Sequence, residues 1–156
     1  MGLLDLFRRK RRRIEDPVFG PLTYDAPWWT GTVRFPPGDG EVTVNVESGE
    51  DGPTGAQRDR FREMERRYRD LCPSIGDALW ELYRPVRLEL EGDGEAQLGP
   101  SGAREMAERT ELFGVDIGRD GVIELGYGFA ADVGWDDAMF TVELQEWTPR
   151  PLRLDD

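Results

Sequence analysis

Apolar positions in this chain follow two periods, two in its outer thirds and between three and four in its middle. Trp29, Gly31, Val33 and Phe35 alternate with Trp28, Thr30, Thr32 and Arg34, and Val42, Val44 and Val46 alternate with Thr43 and Asn45. A period of two sends successive side chains to opposite faces of a strand. Val18, Pro21 and Leu22 lead into Thr23-Tyr24, Asp25 and Pro27 supply turn chemistry, and "PPGDG" at 36–40 is a turn by composition. The first third therefore predicts an antiparallel meander of three strands. Trp28 and Trp29 must face opposite sides. Trp29 shares parity with Val33 and Phe35 and belongs under a helix; Trp28 shares parity with Thr30 and Thr32 and belongs on the wetter face.

The middle third changes period. Phe61, Met64, Tyr68, Leu71, Ile75, Leu79 and Leu82 recur every three or four residues, with Arg58, Arg62, Glu65 and Arg69 off the stripe. Pro73 removes a backbone donor and disfavours helix at Cys72. The stripe keeps phase across it, which predicts a kinked helix or two abutting helices, about 57–71 and 74–84, ending before Pro85. Residues 86–90 alternate like a short strand or extended link. Ser101 to Thr110 reads as a short helix. "LFGVDIGRDGVIELGYGF" reads as a hairpin turning at Asp120-Gly121, and "DVGWDDAMFTVELQEW" as a turn and a last strand. The tail is extended, with Leu152 and Leu154 placed to dock. The expected architecture is α+β: an antiparallel sheet of about six strands with a long amphipathic helix on one face, in the order βββ-α-(α)-βββ. Residues 1–15 form a basic, flexible N-terminal segment and 16–156 a single α+β domain.

Composition narrows the chemistry. The chain has no histidine, which removes the usual general base, Ser-His and Cys-His pairs and His-based zinc sites. Cys72 is its single cysteine, so no internal disulfide forms and a reducing, cytoplasmic setting is expected. Ser48, Ser74 and Ser101 have no base to activate them. "GYGF" at 126–129 lacks the third glycine and following helix of a dinucleotide site, and reads as a strand bulge or bend. "EGDGE" (Glu91, Asp93, Glu95) and "DVGWDD" (Asp132, Asp136, Asp137) read as solvated acidic loops without calcium-loop spacing. No catalytic residue, cofactor or metal is expected; a hydrolase built on Asp and Glu is the third reading of function.

Net charge is −12 and uneven. Residues 1–13 carry Arg8, Arg9, Lys10, Arg11, Arg12 and Arg13 against Asp5, a local +5, which leaves −17 on the rest of the chain (−12 less the +5 of the head). Leu3, Leu4 and Phe7 precede the basic run, in the wrong order for a secretory signal, and nothing here is apolar enough to span a bilayer. These nine residues form a candidate contact with an anionic membrane, weak and salt-sensitive. The acidic body opposes nucleic acid, and none is expected as a partner. It suits a basic protein, with fast, salt-dependent association. Trp28, Trp135, Asp132, Asp136 and Asp137 are the candidate partner-binding residues, and Trp147 is a further aromatic anchor.

"DPVFGPLTY" followed by "WWTGTV" resembles the opening of a family of small bacterial proteins of unknown function. Its members have an Asp-Pro-Val-Phe-Gly-x-Leu strand, a Trp-x-Gly strand, a Val-rich strand and a long helix, matched here by Tyr68, Leu71, Ile75, Ala78, Leu79 and Tyr83. The resemblance runs from Asp16 to Glu146. Related groups carry a Trp-Asp and then a Glu-His-Gly segment in the last hairpin; "WDDAMFTVEL" lacks that Glu-His. The family loosely resembles immunity-type proteins, which neutralise toxins of neighbouring bacteria, and so implies a binding module. The expected function is a non-catalytic bacterial binding protein of immunity type, its acidic surface engaging a basic partner such as a toxin. The alternative is a peripheral membrane-associated structural or adaptor protein, held at the inner face of the membrane by its basic N-terminus.

Overall fold

The alternating first third builds four strands rather than three: β1 (Arg13–Asp16), β2 (Gly20–Asp25), β3 (Trp28–Phe35) and β4 (Gly40–Glu47), each antiparallel to the next. The computed structural model describes residues 11–94, 99–130 and 138–155. β1 begins inside the segment expected to be flexible, because Ile14 lies opposite Leu22 and packs on the core. The Asp16-Pro17-Val18-Phe19-Gly20 turn is closed by the Asp16 carboxylate, which accepts the N–H groups of Val18 (2.9 Å) and Phe19 (3.1 Å). Gly20 follows with φ +67°, a left-handed conformation that glycine adopts without penalty. Gly31 is the small residue of Trp-x-Gly: a Cβ there would lie 2.6 Å from the Pro21 carbonyl oxygen and 2.7 Å from a Leu22 methyl.

One continuous helix, α1 (Gly55–Asp93), replaces the expected break at Pro73 and the expected end before Pro85. Residues 86–90 are therefore helical, not extended, and Glu91 sits in the last turn, ion-paired to Arg87. Both prolines lie on the exposed side of the helix. Each leaves a carbonyl one turn back without its donor, at Arg69 and Glu81, and both of these residues are exposed to water that can satisfy it. The start is firmly capped. Thr54 Oγ1 accepts the Gln57 N–H and Gln57 Oε1 accepts the Thr54 N–H, a reciprocal capping box. Gln57 Nε2 also donates to the carbonyls of Glu47 (2.9 Å) and Gly118 (3.0 Å).

The short helix α2 (Ala103–Arg109) packs on α1 at Gly76, where a Cβ would lie 2.6 Å from the Ala103 carbonyl oxygen. β5 (Thr110–Ile117), β6 (Ile123–Phe129), β7 (Met139–Gln145) and β8 (Thr148–Asp155) form a second antiparallel meander. The two meanders join edge to edge through a parallel pairing of β4 with β5, giving one eight-stranded sheet in the order β1 to β8. The class is α+β as expected. The sheet is mixed rather than antiparallel, and it has eight strands rather than about six. β1 is too short to show as alternation. The Pro-rich tail forms β8 because Pro149, Pro151 and Leu154 lie opposite Leu144, Val142 and Phe140, and prolines are tolerated on an edge strand.

One sheet face and α1 enclose the core, with Trp29, Phe35, Val44, Val46, Phe61, Met64, Leu79, Val115, Leu125, Phe140 and Val142 buried. Trp29 takes the place its parity predicts, and its Nε1 donates to the Gly49 carbonyl at 2.8 Å. Arg58 of α1 binds the fully buried Asp16 carboxylate through Nε (2.9 Å) and Nη2 (2.8 Å), which locks the first hairpin to the helix. Burial pushes the Asp16 carboxyl upward, but bonds from Arg58, Val18 and Phe19 outweigh it and hold the group below 3.8. A depressed folded value means that the stabilisation is fully present above the unfolded carboxylate value and is lost as pH falls through the folded one.

Asp16→Ala should cost about 3 kcal/mol in urea unfolding at pH 7, since it strands a partly buried guanidinium. The gap from the parent should close as pH drops below about 3.8. Gly76→Ala should cost about 1–3 kcal/mol despite alanine's better helix propensity, because the Ala103 backbone must move away.

Candidate functional site

The helix covers one face of the sheet and leaves the other open, and the open face carries the groups available for recognition. Four strands each place a polar residue between two aliphatic ones: Val44-Asn45-Val46, Val115-Asp116-Ile117, Ile123-Glu124-Leu125 and Val142-Glu143-Leu144. The aliphatic flanks are buried in the core, so the polar residues point outward. Strand register then aligns them. Arg13, Thr23, Thr30, Asn45, Asp116, Glu124, Glu143 and Arg150 make a single row across all eight strands. Thr30 Oγ1 donates to Asn45 Oδ1 at 2.9 Å, and Asn45 Nδ2 donates to Asp116 Oδ1 at 2.7 Å, which fixes that carboxylate. Three carboxylates thus stand side by side on neighbouring strands, an arrangement that costs stability. Arg153 offsets part of that cost through Glu124, at 3.5 Å.

Trp28 is half-buried on this open face, as its parity predicts. It borders a hollow of about 440 Å³ lined by Glu47, Asp116, Asp120, Glu124 and Glu143, five carboxylates against the guanidinium of Arg153. Beside it is a groove of about 270 Å³ with a different character. Phe113 is the extra residue of a β-bulge, where the β5–β6 register shifts between Leu112 and Gly114. Its ring lies over Gly126, where a Cβ would come within 3.0 Å of it, and beside Gly128, where a Cβ would lie 3.7 Å from it. The glycines of "GYGF" therefore make room for an aromatic ring on the open face; the bulge itself belongs to β5. Phe113 and Met139 are 44% and 47% exposed, an apolar pair next to an acidic hollow.

The other expectations are met unevenly. Trp135, Asp132, Asp136 and Asp137 lie outside the described residues, as do Leu3, Leu4, Phe7, Arg8, Arg9 and Lys10. Trp147 is not a free anchor: Arg60 stacks on its ring at 3.9 Å and Arg67 lies 5.2 Å away. Trp147 and its neighbour Glu146 form the β7–β8 turn with positive φ (67° and 47°), so contact with α1 stabilises a conformation that a bulky residue rarely adopts. Arg11, Arg12 and Arg13 are exposed, and Arg12 pairs with Glu50 at 3.5 Å. Asp116, Glu124, Glu143, Phe113 and Met139 are the site residues that sequence patterning passed over.

On the enclosed face the hydroxyls of Tyr68 and Tyr127 meet at 3.0 Å. Burial pushes Tyr68 to about 12 and Tyr127 well above 10, so both phenols stay protonated and satisfy each other. Burial likewise pushes the Cys72 thiol up, and its Sγ donates to the Tyr68 carbonyl. These groups complete the core. Among the described residues no group of three or more His, Cys, Asp or Glu side chains is placed to hold a metal ion, and no helix is long and apolar enough to cross a membrane.

Glu143→Gln removes one of the three aligned charges. It should stabilise the fold by about 0.2–1 kcal/mol, roughly 1–4 °C in melting temperature at low salt. The gain should vanish near 1 M salt, where charges are screened within about 3 Å. Thermal melts of the two proteins at both salt concentrations check this.

Comparison with protein families, curated proteins and solved structures finds no match.

Proposed function

We propose that the protein is a non-catalytic binding module of immunity type, cytoplasmic, whose open sheet face engages a basic protein. The aligned Asp116, Glu124 and Glu143 carry this reading. Like charges on adjacent strands oppose folding, and a cationic partner would turn that cost into binding energy. The neighbouring Trp28, Phe113 and Met139 supply apolar contact, which charge alone lacks, and aromatic side chains dominate binding hot spots. The open face is broad, and its hollows suit arginine or lysine side chains of a folded partner better than a small enclosed ligand. The membrane reading is weakened by two of its own residues: Arg13 is built into β1 and Arg12 is paired with Glu50.

The test uses a basic protein encoded beside this chain's gene. The purified pair should bind with an affinity that falls steeply with salt. Replacing Asp116, Glu124 and Glu143 together by Asn, Gln and Gln should weaken it at least ~10-fold, about 1.4 kcal/mol, while the variant melts no lower than the parent. Phe113→Ala should slow nothing in association but speed dissociation. Unchanged affinity in the triple variant would remove the reading.

A further inference from the structure

Asp116, Glu124 and Glu143 stand opposite one another on three neighbouring strands, so the acidic row crosses the strands. Neighbouring strands lie about 4.8 Å apart, and the three carboxylates span roughly 10 Å. Residues of an α-helix at i, i+4 and i+7 share one side, stand about 5–6 Å from each other in turn, and cover about 10 Å of its axis. Same-side residues of an extended strand stand about 6.8 Å apart, and three of them span roughly 14 Å. Of the two, only the helix keeps step with the row. Its matching stripe is three cations long, because the row is bounded by neutral Thr30 and Asn45 on one side and by Arg150, opposite Glu143, on the other.

The ground beside the row fits the same shape. Two residues down the strands, register aligns Thr43, Gly114, Gly126 and Thr141. These small residues floor the groove of about 270 Å³ in which the exposed Phe113 ring lies. The two rows are about 7 Å apart, within the ~10–12 Å width of a helix with its side chains. One guanidinium already approaches the acids this way: Arg153, opposite Thr141, reaches Glu124 at 3.5 Å.

We propose that the open face docks an amphipathic α-helix of its basic partner, laid across β5, β6 and β7, with arginine or lysine at i, i+4 and i+7 over Asp116, Glu124 and Glu143 and an apolar side chain at i+3 against Phe113. This rests on the reading of that face as the binding surface. The chain's own α1 exposes Arg62, Arg66 and Arg69 at the same spacing. Asp59, Glu63 and Asp70 are interleaved with them, however, Glu63 pairs with Arg66, and each copy carries a net charge of −12, so a foreign helix is the better match.

Three alanine-rich peptides of about 20 residues are titrated into the full chain at low salt. The first carries arginines at i, i+4 and i+7 and leucine at i+3; the second has the same composition with its arginines spread around the helix; the third is the first with a central alanine replaced by proline. The aligned peptide should bind at least ~10-fold more tightly than either of the others. It should gain helicity on binding and move the amides of Asn45, Asp116, Glu124 and Gly126. Replacing Asp116, Glu124 and Glu143 by Asn, Gln and Gln should abolish the preference, and Phe113→Ala should weaken the aligned peptide alone. Equal affinities for the three peptides, no binding of the aligned one, or binding without a gain in helicity would overturn the helical partner. If equal binding still required the three carboxylates, the basic-partner reading would survive that result. A preference for the aligned peptide, with no basic protein depending on these carboxylates, would keep the face as a helix-binding surface and remove the immunity reading. Amide shifts on this face that grow with protein concentration before any peptide is added would overturn the proposal in favour of a second copy.

Discussion

The parallel pairing of β4 with β5 is the constraint on which the rest depends. Antiparallel neighbours need only a turn, and every other junction in the sheet is of that kind. Parallel neighbours need the chain to travel back along the sheet before it can re-enter, and it must stay covered on the way. α1 and α2 make that return. Gln57 shows how tightly it is tied: its amide holds the last carbonyl of β4, at Glu47, and the carbonyl just past β5, at Gly118. The helix therefore starts from the shared end of the two parallel strands. Its 39 residues extend roughly 58 Å, about twice the length of an eight-residue strand. The chain uses the excess to turn back through α2, packed at Gly76.

That crossover also divides the sheet into two unlike faces. Where α1 lies, the strands present Trp29, Val44, Val115, Leu125 and Val142. Asp16 and Arg58 close one side of this core and Trp147 with Arg60 the other, so both hairpins flanking the helix are fastened by a charged contact. The opposite face has nothing over it among the described residues. It keeps an acidic row that opposes folding, and an exposed aromatic lying on glycines. Both are features that stability by itself does not favour.

Much of the fold was legible. A period of two in the outer thirds and of 3.6 in the middle located β2 to β7 and α1, and the parity of the adjacent tryptophans assigned each its face. The misses have physical causes. β1 spans four residues, too few to show alternation. β8 contains prolines that read as irregular chain, yet an edge strand tolerates them. Pro85 reads as a stop, but its lost hydrogen bond falls on the solvent side, where it costs little enough for the helix to continue. The bulge at Phe113 depends on the facing glycines of β6, and nothing local announces it.

The binding face separates what each level decides. The chain by itself determined the triplets Val-Asn-Val, Val-Asp-Ile, Ile-Glu-Leu and Val-Glu-Leu, because burying two aliphatic side chains on one face forces the polar residue between them outward. It also determined the acidic body and the basic head, with their order of apolar and charged residues. It did not determine that Asn45, Asp116, Glu124 and Glu143 stand in one line. Asn45 and Asp116 are 71 residues apart, and a slip of one residue in any pairing would turn that strand's polar residues into the core. Only the tertiary structure chose the register and the strand order. In doing so it turned four separate polar positions into one charged surface.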